Sequence, residues 1–94
     1  MVKQTQSTLV LHADGTEEHL PRKLTLEELR QLVGGYVEVV SVMYEDKRTQ
    51  LIVNEDGHPL RLPYNRHATE LYFAIGGTTP VVGDCALLLN WKLD

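Results

Sequence analysis

The chain has 94 residues, 43% of them hydrophobic and 23% charged, proportions that are typical of one globular domain and not of a disordered chain. Nine Lys and Arg against thirteen Asp and Glu give a formal net charge of −4, which disfavours nonspecific nucleic-acid binding but allows a local basic patch to bind one small anion. The single Cys85 excludes an internal disulfide and a Cys-x-x-Cys zinc site, and no apolar stretch is long enough for a membrane helix.

The first six residues are polar and contain no signal-peptide core, so we expect a soluble, cytoplasmic protein. A hairpin follows within residues 1–22, with strands over 8–12 and 17–20. Asp14-Gly15 predicts a tight two-residue type I′ turn between them. The register expected from this turn places His12 opposite Glu17 and Val10 opposite His19.

A well-marked helix begins after Thr25, which forms a capping box with Glu28. Leu24 and Leu29 have the spacing of a hydrophobic staple. Leu26, Leu29 and Val33 are predicted to share one face of this helix. The helix is expected to end at Gly34 in a left-handed conformation.

The middle of the chain predicts strands. Residues 36–43 are rich in valine and residues 51–53 form a shorter apolar run, with a charged hairpin loop expected over 44–48. Residues 54–57 are typical of a turn. Arg61 and Leu62 suggest one further short strand.

Asn65 is a candidate N-cap for a second helix that runs to about Ile75 and places Ala68, Leu71, Tyr72 and Ile75 on one face. Residues 85–89 are continuously apolar, as in a strand buried on both faces. The predicted order is β-β-α-β-β-(β)-α-β. We therefore expect an α+β fold, with residues 1–94 forming a single two-layer domain of two helices on a mixed or antiparallel sheet.

Neither metal binding nor catalysis has a convincing sequence motif, and no cofactor is predicted. None of the histidines has the i, i+4 partner of a helical zinc site; they are His12, His19, His58 and His67. Cys85 lies in the most apolar strand, where a thiol is usually an inert small hydrophobe. The protein is therefore expected not to be an enzyme, although an enzyme too divergent to show its motif is a third hypothesis.

The start of the second helix is the candidate ligand site. Backbone N–H groups and the positive end of the helix dipole favour an anion there. Arg61 and Arg66 would neutralise phosphate, Asn54 and Asn65 would hydrogen-bond a ribose or base, and Tyr36 or Tyr64 would stack, with His67 close by in sequence. The alternative is an ordinary capped helix with solvated arginines.

Several short motifs occur together in a recognisable order. They are Gly34-Gly35-Tyr36, Asn54-Glu55-Asp56-Gly57, Leu62-Pro63-Tyr64-Asn65, Ala68-Thr69 and Gly83-Asp84. In this order they resemble a family of small domains of unknown function found in phages, plasmids and their bacterial hosts. The resemblance covers about residues 24–89 and leaves the first hairpin outside.

The phage setting that this resemblance implies favours a protein that acts by stoichiometric binding against host defence. The first hypothesis is sequestration of an immune signalling nucleotide, a small phosphorylated ligand, in a pocket built between the protomers of a homo-oligomer. The second is inhibition of a host defence protein, such as a nuclease or complex of the anti-CRISPR or anti-restriction type, by an acidic protein surface.

Overall fold

The computed structural model describes residues 5–94; residues 1–4, most of the polar start, lie outside the described part. In chain order the elements are β1 (Ser7–Leu11), β2 (Glu17–Leu20), α1 (Leu26–Val33), β3 (Val37–Tyr44), β4 (Lys47–Asn54), α2 (Arg66–Ala74) and β5 (Cys85–Leu89). Within this range, neither helix has the length and hydropathy needed to span a bilayer.

All five strands form one sheet in the order β2-β1-β5-β4-β3, and every pairing is antiparallel. The α+β prediction is therefore confirmed, and the sheet is antiparallel and not mixed. β5 is the central strand, which explains its continuous apolar sequence: Cys85 and Leu87 face one side of the sheet and Ala86 and Leu88 the other.

The two helices lie on opposite faces of the sheet. Ala68, Leu71 and Tyr72 of α2 pack with one buried cluster, whereas Leu29 and Val33 of α1 pack with the cluster on the other side. The domain thus has three layers, α1, sheet and α2, where the sequence predicted two. The reason is that β4 and β5 have apolar residues at consecutive positions, so both of their faces need a cover.

The first hairpin differs from its prediction by one residue. Gly15 N donates to His12 O at 3.0 Å and His12 N to Thr16 O at 2.9 Å, so the loop has three residues and its Gly15 has a φ of 95°. This is a type I turn followed by a left-handed glycine, not a type I′ turn. The strands consequently pair Leu11 with Glu17 and Leu9 with His19.

The second hairpin is tighter than predicted, because only Glu45 and Asp46 form its loop. Their φ angles of 50° and 64° are those of a two-residue type I′ turn, and β4 begins directly after it at Lys47. The expected short strand at residues 61–62 is not observed. Arg61 has a φ of 56°, which belongs to a turn and is incompatible with an extended strand.

Both helix starts are as predicted. The Thr25 hydroxyl accepts from Glu28 N at 3.1 Å, the Glu28 carboxylate accepts from Thr25 N at 3.0 Å, and α1 ends at Gly34 with a φ of 83°. Asn65 caps α2 by accepting from Ala68 N at 3.1 Å. Ile75, which was predicted to share one face of α2 with Ala68, instead follows the last residue of the helix and is exposed.

Candidate functional site

Asn65, predicted as a ligand contact, is instead a buried structural residue with no exposed surface. Its Nδ2 donates to the backbone oxygens of Leu11 at 2.9 Å and Gly83 at 2.8 Å, while its Oδ1 caps α2. The side-chain amide is thereby used inside the fold, and its predicted role toward a ribose or base is replaced by a structural one.

Asn54, also predicted as a ligand contact, likewise has a structural role. It is buried at the end of β4, where its Nδ2 donates to Val33 O at 2.9 Å and its Oδ1 accepts from Asp56 N at 2.7 Å. These bonds join the end of α1 to the turn at residues 54–57. The side chain therefore holds two connections together and does not present its amide to solvent.

The remaining residues of the predicted site lie at the surface, with His67 half-buried and the others exposed, and they form no pocket with one another. Arg66 is 84% exposed and its Nε lies 3.0 Å from Glu70 on the next turn of α2. His67 Nδ1 lies 2.7 Å from the Glu17 carboxylate of β2. Arg61 and Tyr64 are exposed, and none of these four residues lines the three cavities of about 310, 170 and 370 Å³ described for residues 5–94.

Tyr36 lies between α1 and β3 and is 66% exposed. The Arg30 guanidinium stacks over its ring with 5.6 Å between the guanidinium carbon and the ring centroid, a cation–π contact. Of the seven predicted site residues, only Asn54 lines one of the three cavities, a recess of about 170 Å³ beside β3 and β4. The predicted site is therefore not assembled as one pocket.

A different cleft, which we call the end groove, lies at the end of the sheet where β4 begins and β5 ends, and has a volume of about 310 Å³. The β4–β5 pairing extends only to Gln50 and Leu88, after which the C-terminal segment leaves the sheet. Trp91 Nε1 donates to Ser7 O at 2.8 Å and Leu93 N to Gln50 Oε1 at 2.8 Å. These bonds hold the C-terminal segment beside the start of β1 and the side chain of Gln50 in β4.

Three cationic residues line the end groove: Lys47, Arg48 and Lys92. Within residues 5–94 none of them has a carboxylate within 4.0 Å, whereas Arg22 is paired with Glu28 and Arg66 with Glu70. Their positive charge is thus not neutralised by a direct ion pair. The net charge of −4 still allows a local basic patch, and these three cationic residues form one.

Two further groove residues set its polarity. Glu45 lines the groove beside the cations and would repel an anion placed near it. Partial burial raises the pKa of the Tyr44 phenol, and the Glu45 and Glu17 carboxylates raise it further, so Tyr44 is a neutral hydrogen-bond donor at pH 7. The groove therefore offers cations, one phenol and the amide-bearing Asn90.

Sequence reasoning missed the end groove because its cations are far apart in the chain. The charged sequence predicts a loop at residues 47–48, and Lys92 follows the last strand more than forty residues later. Only the antiparallel β4–β5 pairing, with Gln50 opposite Leu88, brings the two segments together. The usable signal was the pair of basic residues at the start of one strand and the basic residue just after its neighbour.

The structure also places the residues that the sequence analysis considered as a nucleophile or as metal ligands. Cys85 is buried, and desolvation, with a smaller contribution from the Asp84 carboxylate, raises the pKa of its thiol to about 12. His12 lies 3.3 Å from Asp84 and 3.7 Å from Glu18. No group of three or more His, Cys, Asp or Glu side chains among residues 5–94 is arranged to hold a metal ion.

Comparison with protein families identifies a related family. The family model for a domain of unknown function (DUF3846) matches residues 6–89. The match includes the first hairpin, which the resemblance seen in the sequence left outside; this agrees with the position of β1 between β2 and β5 in the sheet. No curated protein and no solved structure matches the chain.

Proposed function

We propose that the chain, which belongs to the DUF3846 family of domains of unknown function, binds a small phosphorylated ligand in the end groove and does not transform it. The observation that carries this proposal is that Lys47, Arg48 and Lys92 all line one cleft, with no carboxylate within ion-pair distance of any of them in the described part of the chain. Cations grouped in this way are stabilised by an anion.

The chemistry of the groove supports a phosphate group as the anionic part of the ligand. Arg48 supplies a planar guanidinium that donates two parallel hydrogen bonds to phosphate oxygens, and the two lysines supply point charges. Tyr44 is a partly buried phenol at the same cleft, suited to contact a ring or hydroxyl of the ligand. A volume of about 310 Å³ is at the lower end of small-molecule sites, which favours a compact ligand.

The composition of the groove also supports binding without turnover. No histidine or cysteine lines it, and the only cysteine is buried in β5 with its pKa raised to about 12. Nucleophilic catalysis needs an activated nucleophile beside a base. Stoichiometric capture of a nucleotide is a function that needs binding without turnover. The family resemblance seen in the sequence implies such a role, with an immune signalling nucleotide as the ligand of a phage counter-defence protein.

Isothermal titration calorimetry with a panel of cyclic nucleotides and ADP-ribose derivatives tests the proposal. We expect one panel member to bind with a stoichiometry of one per chain, and Arg48→Ala or Lys92→Ala to weaken binding by about tenfold or more, equivalent to about 1.4 kcal/mol. Arg61→Ala is the matched control, because Arg61 is also exposed but lies outside the groove.

The outcomes separate the two candidate sites. If Arg61→Ala lost affinity and Arg48→Ala kept full affinity, the ligand would bind at the site predicted from the sequence, near the start of α2. Absence of binding tighter than about millimolar, or about −4 kcal/mol, across the panel and with inorganic phosphate would reject the end groove as an anion site. Ligand hydrolysis in the same samples would contradict the non-catalytic part of the proposal.

A second candidate function is inhibition of a host defence protein by direct contact. The observation that favours it is the surface at residues 60–64, where Leu60 and Tyr64 are 55% and 54% exposed beside Arg61, away from the three cavities. Tyr and Arg are enriched in protein interfaces. Retention of a host protein by the wild type at low and high salt, and its loss in Tyr64→Ala, would favour this function over the first.

A further inference from the structure

The two edges of the sheet are protected very differently. β2 has only four residues, carries Glu17 and Glu18, and is followed at once by Pro21. Short length, charge and proline are the devices by which edge strands avoid pairing with other chains. β3, at the opposite edge, has eight residues with the sequence VEVVSVMY, one charge, no proline and an uninterrupted pairing with β4. It therefore lacks the shortness and the proline that protect β2, and it carries a single charge where β2 carries two.

The hydrogen-bonding pattern identifies which backbone groups of β3 face outward. A two-residue type I′ turn makes Tyr44 and Lys47 a hydrogen-bonded pair, so the even-numbered residues of β3 direct their N–H and C=O groups toward β4. The bond from Glu55 N to Tyr36 O, 2.9 Å long, continues the same alternation. The outward groups consequently belong to the odd-numbered residues, which are Val37, Val39, Ser41 and Met43.

No backbone or side-chain hydrogen bond within residues 5–94 reaches these outward groups. The side chains of Val39 and Met43 are each 45% exposed on the face of the sheet that α1 covers only in part. A regular strand with open hydrogen-bonding groups and β-branched, apolar side chains is a template for one more strand.

The geometry points to β3 of a second copy of this chain as the additional strand. The two β3 strands pair antiparallel about a two-fold axis that passes through Val40. This register places Val39 opposite Ser41 and Val37 opposite Met43 in both directions, so all four outward residues of each copy enter hydrogen-bonded pairs. It also faces Glu38 with Val42, which avoids opposing like charges. The product is one continuous ten-stranded antiparallel sheet.

Charge complementarity at the ends of the paired strands supports a second copy over an unrelated strand. The same register places Tyr36 of one copy opposite Tyr44 of the other, so the acidic turn Glu45-Asp46 of each copy continues toward Arg30 of its neighbour. Arg30 already lies over the Tyr36 ring with 5.6 Å between the guanidinium carbon and the ring centroid. An acidic turn and a basic side chain therefore meet twice in the symmetric pair.

The test is the oligomeric state of the full chain by sedimentation equilibrium over a range of concentrations. We expect the wild type to approach twice the 10.6 kDa mass of one chain. Val39→Lys, which places a charge at the centre of the β3 edge, is expected to remain at the mass of one chain. Ser41→Pro is a second variant, because it removes an outward N–H without removing a bond to β4. Circular dichroism establishes that each variant is folded.

His19→Lys is the matched control, since it adds the same charge to the β2 edge and should leave the dimer intact. A wild type that stays at the mass of one chain at every concentration would overturn the proposal and leave the β3 edge to a foreign strand. A folded Val39→Lys that still dimerises as the wild type does would overturn it as well. Neither result depends on whether the end groove binds a ligand.

Cysteine scanning tests the register independently. In the proposed dimer the two Val40 residues form a non-hydrogen-bonded pair with Cα atoms about 4.5 Å apart, within the range of a disulfide. Val40→Cys should therefore cross-link under oxidation, whereas two copies of Val39→Cys or of Ser41→Cys would lie about 7–8 Å apart on a diagonal and should not. The native Cys85 is buried and does not compete. Cross-linking at 39 or 41 without cross-linking at 40 would contradict the register.

Discussion

The side-chain amide of Asn65 donates a hydrogen bond to the backbone oxygen of Leu11 at 2.9 Å, joining the start of α2 to the end of β1 across 54 positions of sequence. A second bond from the same nitrogen reaches Gly83 O at 2.8 Å, just before β5. One buried residue thus connects a helix, the first hairpin and the approach to the central strand.

Removal of this amide should be among the most destabilising polar substitutions in the chain. Asn65→Ala leaves the buried oxygens of Leu11 and Gly83 without their donor and removes the cap of α2, so we expect the free energy of unfolding to fall by about 3 kcal/mol. Asn65→Asp keeps the cap acceptor but places a carboxylate against both oxygens, and should also destabilise strongly. Urea denaturation measures both changes. Arg66→Ala, one residue later on the surface, is the control and should change stability by less than about 0.5 kcal/mol.

The Arg22–Glu28 pair should make stability depend on pH in the acid range. The pKa of the Glu28 carboxyl is lowered from 4.5 to about 2. The hydrogen bonds donated by Arg22 contribute most to this shift, and the hydrogen bond donated by Thr25 N contributes next. Because the folded-state pKa is the lower one, the stabilisation is present above pH 4.5 and is lost as pH falls toward 2. Tm measured against pH should therefore fall less steeply between those values in Glu28→Gln than in the wild type.

Glu27→Gln is the matched control for that pH dependence. Glu27 lies beside Glu28 in the first turn of α1, but the ion pairs found within residues 5–94 do not include it. Its substitution should leave the acid limb of the Tm profile as steep as in the wild type. Equal profiles for wild type and Glu28→Gln would show that the Arg22 contact does not hold in solution.

The parts of the fold that were predicted from sequence are those fixed by neighbouring residues. Thr25 and Glu28 cap α1 through bonds across three residues, and Asn65 caps α2 in the same way, so each motif is complete within one turn. The loop of the first hairpin shows the limit of such reasoning. An Asp-Gly pair fits both a two-residue and a three-residue loop, and the choice shifts every facing pair by one residue.

The candidate site was harder to predict because burial and convergence are properties of the whole sheet. Asn54 and Asn65 have the composition of ligand contacts, but strands and turns distant in sequence bury them and use their amides. Arg48 and Lys92 look like scattered surface charges until β4 pairs with β5. A local pattern identifies what a side chain can do, whereas the topology decides which side chains meet.

The cationic residues of the end groove should contribute to ligand binding but not to the stability of the fold. Arg48 and Lys92 line the same cleft as Lys47 and have no carboxylate within 4.0 Å in the described part of the chain, so removing either charge breaks no direct ion pair. Arg48→Gln and Lys92→Gln should leave the free energy of unfolding unchanged or raise it by up to about 0.5 kcal/mol. Urea denaturation at low and high salt measures this.

Arg22→Gln provides the contrast for the groove variants, because its guanidinium donates to Glu28 at 2.8 Å. It should be less stable than the wild type under the same conditions. A loss of stability in Arg48→Gln or Lys92→Gln as large as that of Arg22→Gln would indicate that the groove cations have structural partners, and would remove the argument that they are held for a ligand.

The thiol of Cys85 should report opening of the sheet and should not react in the folded protein. It is buried in the central strand β5, where desolvation raises its pKa to about 12, and the thiolate is the reactive form. We expect modification by a chromogenic disulfide reagent at pH 8 to be very slow in buffer and to follow the unfolded fraction as urea is added. Met43→Cys, which places a thiol on an exposed position of β3, is the control and should react at once. If Cys85 reacted in buffer as fast as the cysteine at position 43, the central position of β5 in the sheet would be wrong.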